Sequence, residues 1–144
     1  MALSFPQHYR VLCEGPGGMA ATWQTEGPAE TPITGAIPPE FGGPGGGFSP
    51  EELYALALTN CFTATFKVIA EKSRLSYESI RVEGDLTVDL GEDKRPWMAR
   101  IDLSATLEGT DDAEKAKRIL EKASTSCLIL NSVKTAKYFT FTVQ

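Results

Sequence analysis

Residues 49–74 constrain this chain more than any other stretch, because they spell a helix with no polar face. Ser49 can cap its start, Pro50 suits the first helical position, and Glu52 completes a capping box with Ser49. The helix then continues through LYALALTNCFTATFKVIAEKS to about Arg74. Leu53, Tyr54, Leu56, Leu58, Phe62, Phe66, Val68 and Ile69 fall all around its axis. A helix that is apolar on every side must be buried on every side. A chain of 144 residues with few other helices can hardly wrap it alone, which favours a partner subunit. Thr59, Asn60, Thr63, Thr65 and Lys67 break the apolar run, so it reads as a core helix and no membrane span is expected.

The flanking segments supply sheets. HYRVLCE (8–14) and MAATWQT (19–25) read as strands joined by the turn Gly15-Pro16-Gly17-Gly18. Residues 28–48 are rich in Pro and Gly, with a short strand near Thr31–Gly35 and a loop at PPEFGGPGGGF. That glycine run is no phosphate cradle, since no Gly-Lys-Ser/Thr follows. Beyond the helix, Ile80, Val82, Gly84, Leu86, Val88 and Leu90 alternate with Arg81, Glu83, Asp85, Thr87 and Asp89. Ile101, Leu103, Ala105 and Leu107 repeat the pattern, so the two runs form a long antiparallel hairpin with one wet face. A second helix over about Asp111–Thr125 puts Ala113, Ala116, Ile119, Leu120 and Ala123 on one face. A short helix near Cys127–Val133 and a last strand, KYFTFTV, complete an α+β chain with no internal repeat and a single domain over 1–144.

Charge and cysteine usage narrow the function. The formal charge of −5 and a single histidine, His8, argue against a phosphate-binding surface, so no nucleic-acid partner is expected. MALSFPQHYR lacks the basic start and apolar run of a secretory leader, which points to the cytoplasm. Three widely spaced cysteines do not make a disulfide scaffold; in a reducing compartment they are small core residues or reactive thiols. With one histidine there is no ordinary zinc spacing and no Cys-His or Ser-His pair, and no metal or organic cofactor is implied. Taken alone, Cys61, Cys127 and Cys13 would each be a buried core side chain, and Glu51 an acid that complements the helix dipole.

A longer pattern changes that reading. The stretch PPEFGGPGGGFSPEELYALALTNCF, followed 66 residues after Cys61 by SCLILNS, resembles the family of osmotically inducible protein C and organic hydroperoxide resistance proteins (OsmC/Ohr). The order of elements resembles it over nearly the whole chain. The resemblance implies an intertwined homodimer in which sheets of both subunits enclose long central helices. It also implies a thiol peroxidase acting on organic or lipid hydroperoxides and recycled by a dithiol reductant. Cys61 falls at the place of the peroxidatic cysteine, Cys127 at that of the resolving cysteine, and Glu51 at that of the active-site glutamate. Ten helical residues put Glu51 about 15 Å along the axis from Cys61, so the two cannot meet within one helix. Two such helices packed antiparallel about a two-fold near Leu56 would bring one chain's Glu51 level with the other's Cys61.

The chain departs from the family in two places. The family carries an arginine just after the first turn, where it pairs with the glutamate and holds the thiolate. Here that stretch is GGMAATWQT, with Met19 or a neighbour at the place, and no Arg or Lys occurs between Arg10 and Lys67. Arg10, otherwise a solvated strand residue, is the candidate substitute. Leu-Ile-Leu-Asn-Ser after Cys127 also lacks the proline of the family's best-known members. These departures describe a divergent branch and leave two further readings. One is a non-catalytic protein holding a hydrophobic ligand beneath PPEFGGPGGGF; the other is a thiol enzyme of different specificity.

Overall fold

The computed structural model describes residues 4–28 and 31–144. Residues 1–3, part of the N-terminal stretch read above, and 29–30, in the Pro/Gly-rich segment, lie outside the described residues. The chain divides into two compact units, residues 1–53 and 54–144.

The N-terminal unit is a three-stranded antiparallel sheet in the order β1 (Leu12–Glu14), β2 (Trp23–Glu26), β3 (Ile33–Gly35). The first strand is shorter than its sequence suggested, and Arg10 precedes it as an exposed residue. Cys13, expected in a core, is exposed, because β1 is a three-residue edge strand that, among the described residues, pairs with β2 alone. The glycine-rich segment folds back on β3, where Ala36 N–H donates to the Phe48 carbonyl at 3.0 Å and Phe48 N–H to Thr34 at 2.9 Å. Its tight path needs left-handed residues at Gly45 and Gly46 (φ 67° and 85°), which glycine adopts without a Cβ clash. The capping box forms as the sequence predicts. Ser49 N–H donates to Glu52 Oε1 at 3.0 Å, and Glu52 N–H donates to Ser49 Oγ at 3.1 Å.

That box opens α1 (Pro50–Lys72). Within the C-terminal unit α1 is followed by β4 (Ser79–Leu90), β5 (Pro96–Glu108), α2 (Ala113–Ser126), a 3-10 turn (Leu130–Ser132) and β6 (Ala136–Val143). Asp112 caps α2 by accepting from Lys115 N–H at 3.1 Å. β4 and β5 form the expected antiparallel hairpin, from Ser79 opposite Glu108 to Leu90 opposite Pro96, with a register shift at Thr87/Val88. The sheet is not antiparallel throughout: β6 lies parallel to β5, from Arg100 opposite Ala136 to Leu107 opposite Val143. A parallel neighbour needs a crossover connection, and α2 with the 3-10 turn provides it.

The core of this unit gathers Leu58, Phe62, Phe66 and Ala70 from α1 with Ile101, Leu103, Ala105 and Leu107 from β5. Ala116, Ile119, Leu120 and Ala123 of α2 join them, whereas Ala113, expected on that face, is exposed. The α1 set follows an i, i+4 spacing and so forms one stripe. On other sides of the helix Leu56 and Val68 are exposed in the single chain, so one chain by itself buries one face of α1. By length and composition alone α1 would pass as a membrane span, a test that a soluble core helix also passes.

Candidate functional site

The packing of α1 against the end of α2 brings two thiols together. Cys61 lies at mid-helix, beside the stripe that faces the sheet, and is partly exposed. Cys127 is the C-cap of α2 and is fully buried. Residues so far apart in the chain meet because Phe62 and Phe66 anchor α1 in the same core that α2 enters through Leu120 and Ala123.

The two sulfurs sit in different surroundings. Cys127 Sγ–H donates to the Ala123 carbonyl at 2.9 Å, which holds it as a thiol. Burial pushes Cys127 up to about 11; the Thr65 hydroxyl pulls the other way, and the neighbouring Cys61 adds a smaller upward push. Cys61 Sγ accepts the backbone N–H of Ile129 at 3.3 Å. Among the described residues no lysine or arginine donates to it. Arg100, a cation of the same unit, is held by Asp102 at 2.7 and 2.9 Å and lies over the Tyr138 ring at 3.9 Å.

A cleft of about 440 Å³ runs along α1, lined by Thr65, Val68, Ile69 and Lys72 and, from α2, by Lys122 and Ser126; neither cysteine lines it. Thr65 belongs both to this cleft and to the surroundings of Cys127. The walls are mostly apolar, with Lys72 and Lys122 among the lining residues, so the cleft suits an apolar body.

Of the residues singled out from the sequence, Cys61 and Cys127 are brought together. Glu51 and Arg10 lie in the N-terminal unit. Glu51 stands in the first turn of α1, and its Oε1 is buried without a hydrogen-bond partner. Arg10 is exposed in a shallow depression with Glu26. Thr65 and the Ile129 amide were not foreseen. Thr65 could have been found from its place one turn after Cys61; a main-chain amide leaves no mark in residue type.

The raised Cys127 sets a stability expectation in alkali. Its ordinary value is 9.0, so the folded state holds the proton more tightly than the unfolded one. That contribution is complete below about pH 9 and is lost as the pH rises towards about 11, to a total on the order of 2 kcal/mol. Urea unfolding of the reduced protein, compared with Cys127→Ser across this window, should show the wild type losing stability faster. Parallel curves would mean that Cys127 ionises alike in both states.

The sequence profile of OsmC-like proteins matches residues 43–142, more than half of the chain. This chain belongs to the OsmC-like family. An uncharacterised protein of Acinetobacter baylyi is 30% identical over 99 residues, covering 68% of this chain and 67% of the relative. An OsmC-like protein of unknown function from Vibrio cholerae shares the fold with a TM-score of 0.83 at 18% identity, covering 94% of this chain and 99% of that one. An organic hydroperoxide resistance protein, OsmC, from Legionella pneumophila superposes with a TM-score of 0.73 at 22% identity, covering 96% and 99%. The α+β fold with its central helix is therefore the OsmC fold, and family membership supports a redox role of the peroxidase type in general terms.

Proposed function

We propose that this chain is a thiol-dependent peroxidase of organic hydroperoxides, with Cys61 as the attacking sulfur and Cys127 as the resolving one. The observation that carries this reading is the pairing of an accessible thiol with a buried one whose S–H donates to a carbonyl. The Cys61 thiolate attacks the terminal oxygen of ROOH, the O–O bond breaks, and the alkoxide leaves and takes up a proton as ROH. The sulfur is oxidised to a sulfenic acid. Cys127 then attacks that sulfur, the S–S bond forms, the S–O bond breaks, and water departs with the thiol proton. A dithiol reductant restores both thiols by exchange, in keeping with a cytoplasmic setting.

The working unit in this reading is a homodimer, and both compact units belong to one OsmC-like domain, since the family match runs across residue 53. Leu56 and Val68, exposed on the central helix, support a second copy as the cover for α1. The unpartnered Oε1 of Glu51 supports a role for that carboxylate in a site shared between subunits. Arg10 is the candidate cation in the N-terminal unit.

The test is to treat the reduced protein with an equivalent of cumene hydroperoxide and map its cysteines by mass spectrometry. A rapid Cys61–Cys127 disulfide, absent in Cys61→Ser, is expected, and sedimentation of the same sample should give the mass of two chains. Untouched thiols would sink the reading. They would favour a second one, in which the cleft holds a hydrophobic ligand without chemistry, for which its apolar walls are the supporting observation.

A further inference from the structure

The thiolate proposed above needs a stabilising group, and none of the described hydrogen bonds to Cys61 comes from a cationic side chain. We infer that the main-chain N–H of Ile129 is a catalytic group that holds the Cys61 thiolate, so that the segment carrying Cys127 also activates the sulfur that Cys127 will later attack. The inference rests on the peroxidase reading for its purpose, but the hydrogen bond itself is independent of that reading.

The geometry is direct. The amide lies 3.3 Å from Cys61 Sγ, and this is its only hydrogen bond among the described residues. A thiol is a weak acceptor and a thiolate a strong one, so an N–H aimed at sulfur favours the ionised form. The donor is also held in place before any charge develops. After Cys127 the chain turns, with Asn131 N–H on the Cys127 carbonyl at 2.9 Å and the Asn131 side-chain amide on the Thr125 carbonyl at 3.0 Å. The Ser132 hydroxyl closes the turn on the Leu128 carbonyl at 2.8 Å. These bonds fix residues 128–132 against the end of α2 and aim the Ile129 amide at the sulfur. Such a donor needs no reorganisation when the charge appears, which is the condition for electrostatic catalysis. Asn131 is accordingly a positioning residue.

The arrangement also orders the steps. While Cys61 is a thiolate, the amide holds its sulfur. Once the sulfur has become a sulfenic acid, its negative charge is gone and the amide's hold weakens. The sulfur is then free to turn towards Cys127, its neighbour at the start of the same turn.

The test uses the full chain and no peroxide. In the reduced, ¹⁵N-labelled protein the Ile129 amide proton should move downfield as Cys61 ionises. Its pH profile should follow that of Cys61 alkylation by iodoacetamide and should be flat in Cys61→Ser. Ile129→Pro removes the N–H, and the native φ of −70° matches proline; because its Cδ replaces that hydrogen beside the sulfur, the pH profile of alkylation is read together with the rate. In that variant Cys61 alkylation at neutral pH should fall about tenfold or more, the scale of a hydrogen bond to a charged group. Leu128→Ala, an exposed neighbour that keeps its amide, should alkylate at the wild-type rate. An Ile129 resonance that ignores Cys61 ionisation overturns the inference, and that measurement stands even if Ile129→Pro fails to fold. So does a folded Ile129→Pro that alkylates normally. Failure of the peroxidase reading would appear separately, as absent disulfide formation in a protein whose Ile129 amide still tracks the thiolate.

Discussion

Phe62→Ala should lower the unfolding free energy by roughly 3–5 kcal/mol, the range for emptying a buried aromatic site. Phe62 is 0% exposed, and its ring lies 5.8 Å from that of Phe139 and 5.9 Å from that of Phe141. It thus ties α1 to β6, the strand that joins the sheet through the parallel crossover. Aromatic pairs add to the burial term, so truncation loses both transfer energy and ring contacts. Collapse around the hole is restricted, because Leu58 and Phe66, a turn away on either side, are themselves fully buried. Urea unfolding at fixed protein concentration measures the loss, since the midpoint of the proposed dimer would vary with concentration. A loss under about 1 kcal/mol would show that the site closes up and that Phe62 is not the anchor described here. Cys61 is the adjacent residue, so a large loss should also blur the placement of its sulfur.

Cys127→Ser should leave the first oxidation intact and remove turnover. Serine is close in size, and its hydroxyl can donate to the Ala123 carbonyl as the thiol does, so the fold around α2 should persist. Cys61 would still reach the sulfenic acid and release one equivalent of alcohol. With no thiol beside it, that sulfenic acid has no disulfide to form, and excess peroxide should carry it to sulfinic acid, which dithiols do not reverse. The expected result is two equivalents of cumyl alcohol per chain, one for the sulfenic and one for the sulfinic acid, and then no further turnover, with Cys61 accumulating as sulfinic acid by mass spectrometry. Sustained turnover in Cys127→Ser would remove Cys127 from the mechanism. Because Cys127 stays a thiol until high pH, the wild-type disulfide step should quicken as the pH rises towards about 11, where more of it ionises.

Much of the architecture was legible in residue order. The capping box at Ser49 and Glu52 formed as read, because it depends on groups three residues apart. The β4–β5 hairpin and the buried face of α2 followed from periods of 2 and 3.6, which survive any tertiary context that buries one face. The sites were legible only in part. The spacing of Cys61 and Cys127 marked them as a pair through family resemblance, and the structure places them side by side. Cys13 was misjudged because a cysteine in a strand says nothing of whether another layer covers that strand. The short β1 left Arg10 outside the sheet, since exposed edge strands give weak signals at their ends.

The sequence by itself determined the central helix, its cap, the alternating strands and the family. Each rests on contacts between residues close in the chain or on a pattern repeated along it. Only the tertiary structure decided that β6 runs parallel to β5, because the direction of a final strand depends on the path of the crossover before it. It alone decided that Cys127 is buried and protonated while Cys61 is open, since burial belongs to the packed surroundings and not to the residue type. It also decided that the group on the Cys61 sulfur is the backbone N–H of Ile129. Every residue but proline carries that donor, so only the fold selects which one faces the sulfur.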